Sequence, residues 1–289
     1  MLKILITGAS GFIGSSIIEY LEEKGNVVFG CVRTPEKKKN EKFIVCDLEK
    51  ETLEADIDVD VIIHTAAIFP YADTKFDVFF SSNVMATKNV LEYAKSHNIK
   101  RIIYMGSVVS YGEINGVLRE DSPHNNPNDY GLTKYVAEQL IRSSGIPYYI
   151  LILPGVVGKN CKDNWIMNVA KALYSNKQVT YYNGQGLFNN ILDVQDLCIY
   201  IENLLMKNMN KSETYLLGSN EKLTVDNVIC FLKNKFSSSS QLYSDKQKGN
   251  AFYLDVSKAI SDGFLPHPIR DTLEVVYKEV LRKENRVEK

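Results

Sequence analysis

The sequence predicts an α/β fold: a doubly wound parallel sheet followed by a small mixed C-terminal lobe. Three observations carry this. Short apolar runs recur through the first 154 residues, with amphipathic stretches between them. The runs are rich in Ile, Val and Tyr and do not alternate strictly with polar residues. The rhythm then breaks after Pro154. Continuous apolar runs mark strands covered on both faces, and strand–helix alternation marks a parallel sheet.

Strands are expected at KILIT (3–7), VVFGCV (27–32), KFIVC (42–46), VDVIIHTAA (59–67), RIIYMGS (101–107) and YYILILP (148–154). A helix over 14–25 sets Ile17, Ile18 and Leu21 on one side and ends at Gly25, a suitable C-terminal cap. A second is expected over 83–98. Beyond Pro154 the pattern gives a helix over 164–174, a strand at Val179–Tyr182 and an amphipathic helix over 193–208, then two more helices opened by Thr or Asp. The expected division is a nucleotide-binding domain over 1–154 plus about 187–217, and a substrate lobe over about 155–186 and 218–289.

The 34 basic residues against 35 acidic give a net charge of −1, which leaves no electrostatic footprint for nucleic acid. No run approaches the roughly 20 apolar residues a membrane span needs. The start, MLKILITG, runs straight into a turn motif without a cleavage site, and the five scattered cysteines lack Cys-x-x-Cys spacing. Reduced thiols in a cytoplasm are expected. The four histidines have no metal-ligand spacing, so no metal is expected.

ITGASGFIGSS sets Gly8, Gly11 and Gly14 three residues apart between the first strand and the first helix. Glycines there let the backbone turn tightly and approach a pyrophosphate at the helix N-terminus, so a dinucleotide is the expected ligand. An acid at the end of the second strand suits NAD; here Arg33 stands there, which favours NADP, with NAD possible. A surface arginine without consequence is the other reading. Asp47, after the third strand, can meet an adenine amino group or cap a helix. In DYGLTKYVAEQL, Tyr130 and Lys134 lie one helical turn apart. Alone, the pair reads as a half-buried tyrosine beside a solvated lysine.

Taken in order, these and later motifs resemble the extended short-chain dehydrogenase/reductase family, specifically its nucleotide-sugar branch of NAD-dependent epimerases and dehydratases. HTAA (64–67) is similar to the family's fourth-strand segment, and NVMATKNVLEYAK to its Asn-Val-x-Gly-Thr-x-Asn helix, with Ala86 for the glycine. MGSVVSYG (105–112), YGLTK, PGVVG (154–158), ILDVQDL (191–197) and YLDVSKAISDGFLP (253–266) resemble later family motifs, over almost the whole chain.

The resemblance implies a Rossmann fold and assigns roles. Tyr130 would exchange a proton with the substrate oxygen. Lys134 would hold the nicotinamide ribose and lower the tyrosine's pKa, while Ser107 would donate to the reacting oxygen. Along the cofactor it implies Ser10, Phe12 and Ile13 beside the glycines, and Leu48 beside Asp47. It further implies Thr65, Ala66, Ala67 and Asn83, then Pro154, Val156 and Val157. Val108 and Asn164 join Ser107 and Tyr130 at the substrate.

Dehydratases of the family carry an acid pair where this chain has Val108 and Val109. Leu153 stands where many sugar-nucleotide members have arginine; Lys159, Lys162 and Asn164 are candidates for a diphosphate contact or a solvated loop. The leading expectation is an NADPH-dependent reductase of a keto group on a nucleotide-linked deoxysugar. Alternatives are an NAD-dependent nucleotide-sugar 4-epimerase, a small-molecule carbonyl reductase, and a non-catalytic dinucleotide sensor. By analogy with the family a homodimer is expected, and Val136, Leu140, Val90 and Tyr93 are each candidates either for its surface or for packing on their own sheet.

Overall fold

In the computed structural model, which describes residues 2–69, 73–161, 164–208, 210–245 and 252–287, the centre is a seven-stranded sheet. Its strands are β1 (Lys3–Thr7), β2 (Val27–Val32), β3 (Phe43–Val45), β4 (Val61–His64), β5 (Arg101–Ser107), β6 (Tyr148–Leu153) and β7 (Glu213–Leu216). They lie in the order β7-β6-β5-β4-β1-β2-β3. The pairs β1–β2, β1–β4, β2–β3 and β4–β5 are parallel. Strand order reverses between β1 and β4, the switch point at whose carboxyl ends doubly wound folds bind ligands.

The strands form where the apolar runs predict them because both faces are covered. Val61, Ile62, Ile63, Ile102 and Ile103 have no exposure at all, and each such side chain stabilises the fold by roughly 1.5–3 kcal/mol. Helix α1 (Phe12–Glu23) buries Gly14, Ile17, Ile18 and Leu21. Helix α2 (Ala86–Ser96) buries Val90 and Tyr93, so these two face their own fold rather than an outer surface. The expected single helix over 83–98 instead has a wide π-helical turn at Phe80–Met85 leading into α2. Helix α3 (Asp129–Ser143) follows β5.

The guanidinium of Arg101 on β5 is wholly buried. It lies 4.5 Å over the Tyr149 ring and donates to the carbonyls of Leu204, at 3.2 Å, and Asn208. The Leu204 oxygen lies in the last turn of the helix Val194–Leu205 and that of Asn208 just past its end, so the side chain satisfies an acceptor that the helix C-terminus leaves open.

The chain divides into two units: 1–112, 123–152 and 201–215 in the first, and 113–122, 153–200 and 216–289 in the second. The second unit therefore takes a segment from before residue 154, Glu113–Ser122, which includes a strand at Gly116–Leu118 paired with Phe252–Leu254. It also pairs Gly155–Val157 with Ile191–Asp193 and Val179–Tyr182 with Leu242–Asp245. Its helices are α4 (Trp165–Tyr174), α6 (Val225–Lys235, opened by a Thr224 capping box) and α7 (Ile269–Val287); α5 (Val194–Leu205) leads back to the first unit. Among the described residues no helix is long and apolar enough to cross a membrane.

Candidate active site

The glycine loop joins β1 to α1. Gly8 has φ +66, and a Cβ on it would stand 2.8 Å from the backbone of Ala66, so no larger residue fits. A Cβ on Gly14 would meet the Gly8 carbonyl at 2.4 Å. Gly11 differs: its nearest neighbour would be the Gly8 oxygen at 3.1 Å, and its backbone is extended. The fold itself demands glycine at 8 and 14, whereas Gly11 leaves open a cradle that a Cβ would fill. Gly11 caps α1 without a side-chain bond, so the first turn's N–H groups point outward beside exposed Ser10 and half-buried Phe12 and Ile13. That donor set fits a pyrophosphate.

A buried polar chain fastens the loop to β4. Thr7 Oγ1 lies 2.7 Å from His64 Nδ1, and His64 Nε2 lies 3.0 Å from Thr87 Oγ1. Burial, aided by the Lys134 charge, pushes His64 down to about 3, so it is neutral. Thr65 donates to the Thr7 carbonyl at 2.7 Å, and the Ala66 N–H donates to Thr7 Oγ1 at 3.3 Å. Ala67 is exposed. Asn83, in the π-helical turn, accepts from the Ile68 N–H at 3.2 Å and donates to Thr133 at 3.0 Å. Its side chain thus ties the β4 loop to α3.

Arg33, at the end of β2, is not a free cation. Its guanidinium bonds Glu49 and lies 3.8 Å from Asp47. Ser82 donates to the same Glu49 oxygen at 2.5 Å. The NADP expectation rested on Arg33 standing where an acid would suit NAD; here that guanidinium lies against two carboxylates. Leu48 is buried, and its carbonyl accepts from Asn89 at 2.9 Å. Glu49 was absent from the expected set, although it follows Asp47 by only two residues.

Ser107, Tyr130 and Lys134 come together where β5 ends and α3 begins. Asn128 caps α3 by accepting from the Gly131 N–H at 2.9 Å. A Cβ on Gly131 would stand 2.2 Å from the Val109 carbonyl, so this glycine lets the first turn of α3 lie directly on the turn after Ser107. Phe79 braces the Tyr130 ring edge-on at 5.7 Å. Val108 is half-buried beside Ser107.

Burial raises the Tyr130 phenol above its ordinary range, and a hydrogen bond from Ser107 opposes this. The Lys134 ammonium donates to the Met105 carbonyl at 2.7 Å and lies 4.3 Å over the Tyr104 ring. Burial pushes Lys134 down to about 8 against the opposing charge of Glu138.

Glu138 is the residue that sequence reasoning missed, though it repeats the four-residue step of Tyr130 and Lys134. It is 1% exposed. Burial pushes it up to about 7, opposed chiefly by Lys134.

In the second unit Pro154 and Val157 are buried and Val156 half-buried. Asn164 accepts from the Met167 N–H at 3.1 Å, capping α4, and donates to the Val156 carbonyl at 3.2 Å. Lys159 is exposed, and Lys162 lies outside the described residues.

The NAD dependent epimerase/dehydratase family matches residues 4–218. The chain is 29% identical over 287 residues to a candidate UDP-glucose 4-epimerase of Methanocaldococcus jannaschii, covering 91% of this chain and 93% of that one. It is 28% identical over 286 residues to an uncharacterized UDP-glucose epimerase of Bacillus subtilis, covering 89% and 90%. A crystal structure of UDP-glucuronic acid 4-epimerase from Bacillus cereus with NAD superposes with a TM-score of 0.81 at 25% identity, covering 97% and 99%. The same enzyme is also solved with UDP-glucuronic acid and NAD.

Proposed function

Because the chain belongs to the NAD dependent epimerase/dehydratase family, we propose that it is an NAD-dependent 4-epimerase of a UDP-linked hexose. The observation that carries this reading over a reductase is the engagement of Arg33 by Glu49 and Asp47. A ribose with free hydroxyls suits that acid-rich corner better than one bearing a phosphate. Relatives named as 4-epimerases and the Bacillus cereus enzyme's complexes support the same cofactor and substrate class. Against dehydration stand Val108 and Val109, which cannot move the protons that elimination of water needs.

Bound NAD would supply a hydride acceptor that also returns what it takes. The chain's own residues do the rest. Tyr130, as phenolate, would take the proton of the sugar hydroxyl and give it back after the ring has turned. Lys134 would leave the Met105 carbonyl for the nicotinamide ribose and there favour the phenolate, as an adjacent cation does. Ser107 would donate to the reacting oxygen where charge develops. The glycine loop would hold the pyrophosphate, and Asp47 would face the adenine end. The first unit would then be the dinucleotide-binding domain and the second the substrate lobe.

Denaturing the purified protein should release NAD, and UDP-glucose, UDP-galactose and UDP-glucuronate offered in turn should include one inverted at C4 by proton NMR. Tyr130→Phe should lower kcat by on the order of 10³-fold or more. Stoichiometric consumption of NADPH with a ketosugar, and no inversion, would overturn the reading in favour of a reductase.

A further inference from the structure

His124 lies on the stretch that returns from the Glu113–Ser122 excursion to the start of α3, within the first unit. Its half-buried ring touches both of the segments that build the reaction centre. Nδ1 lies 2.7 Å from the Ser110 carbonyl oxygen. The Tyr111 ring stacks on it, with centroids 4.4 Å apart and planes 11° from parallel. The ring of Tyr135, one residue beyond Lys134 on α3, lies 4.1 Å away at 42°. A carbonyl oxygen only accepts, so Nδ1 carries the proton and the imidazole is held in one tautomer. Ser110 has no exposure, so its carbonyl depends on protein donors.

The contact continues to Ser107. The Ser110 hydroxyl donates to the Ser107 carbonyl at 2.8 Å, and the Val109 N–H donates to Ser107 Oγ at 3.3 Å. The backbone ties the same two segments together: the Asn125 N–H donates to the Tyr111 carbonyl at 2.9 Å, and Gly112 pairs with Asn125 in a single bridge. We propose that His124 is a positioning residue of the reaction centre: its Nδ1–H holds the turn Val108–Tyr111 where Ser107 can reach the oxygen on which Tyr130 acts. The reaction so served rests on the epimerase reading; the placement of the turn does not. Packing alone would ask only for a flat ring beside Tyr111 and Tyr135, whereas this arrangement uses a donor at one position of that ring.

Ring and donor can be separated. His124→Phe keeps the ring without the donor, and His124→Asn keeps a donor near the Nδ1 position without the ring. Nitrogen-15 NMR of the ligand-free protein, with His124 assigned by its loss in His124→Asn, should show the proton on Nδ1. A neutral ring protonated at Nε2 would overturn the proposal, because Nδ1 could then only accept. Hydrogen exchange at the Val109 amide should quicken about 10-fold in His124→Phe and stay within about threefold of wild type in His124→Asn. In turnover, His124→Phe should lower kcat on the order of 10-fold or more with KM for the sugar nucleotide within about twofold. His124→Asn should restore most of that kcat even where it melts at a lower temperature. Equal losses in both variants, following their melting temperatures, would reduce His124 to packing and overturn the proposal. Wild-type exchange and kcat in His124→Phe would do the same. If His124→Phe does not fold, the wild-type tautomer and the turnover of His124→Asn carry the test. Tautomer and exchange are read without ligand, so a protein that inverts no sugar would sink the epimerase reading and leave those two measurements to decide this one.

Discussion

At the scale of single residues, what a side chain offers a ligand depends on what already holds it. Arg33 is more than half exposed, so its pairing with Glu49 adds little to stability. It still decides the local field. Beside two carboxylates one guanidinium is already balanced, and an added phosphate would meet net repulsion. Glu49→Gln should therefore raise NADP affinity about 5- to 10-fold, roughly 1 kcal/mol, while leaving NAD within about twofold. Titration of both dinucleotides into stripped protein would read this, and equal changes for both would refute it. The glycine spacing was legible as a local pattern, whereas Tyr130, Lys134 and Ser107 were reached through the family resemblance. Glu49 was legible in neither way, because its nearness to Arg33 depends on the pairing of Val32 with Val45 across β2 and β3. Register is a property of two segments sixteen residues apart in their effect, and no single stretch displays it.

At the scale of elements, α3 matters less for its length than for where its first turn rests. Asn128 starts it, and the absence of a side chain at Gly131 lets it settle against the Val109 carbonyl. Gly131→Ala would force that turn away from Ser107. Expected are a loss of kcat on the order of 10²-fold and a destabilisation of about 1–3 kcal/mol, checked by turnover and thermal melting of the same preparation. Wild-type kcat in this variant would show that the close approach is incidental. Most strands announced themselves as apolar runs, since both faces of the sheet are covered. Two features did not. The π-helical turn at Phe80–Met85 keeps a helical composition while changing pitch, and it is what sets Asn83 between Ile68 and Thr133. The Glu113–Ser122 excursion lies among polar residues whose sequence position suggested the first unit.

At the scale of the molecule, the strand order puts the ends of β1, β4 and β5 side by side at the switch point. Three loops with unrelated sequences thereby become one candidate site. The same sheet depends on residues far along the chain. Arg101 needs the carbonyls of Leu204 and Asn208, 103 and 107 residues later. Without them the buried guanidinium loses two charge-assisted hydrogen bonds, each contributing roughly 1.5–3 kcal/mol. A fragment ending at residue 152 should accordingly show no cooperative thermal transition by circular dichroism where the full chain does; a sharp transition in the fragment would contradict this. During synthesis the consequence is a delay. At about 5–20 residues per second, roughly 5–20 seconds separate the emergence of Arg101 from that of Asn208. For that interval the nascent sheet carries a charge that its own chain cannot yet answer, and β5 waits for the ribosome to deliver the helix end that closes over it.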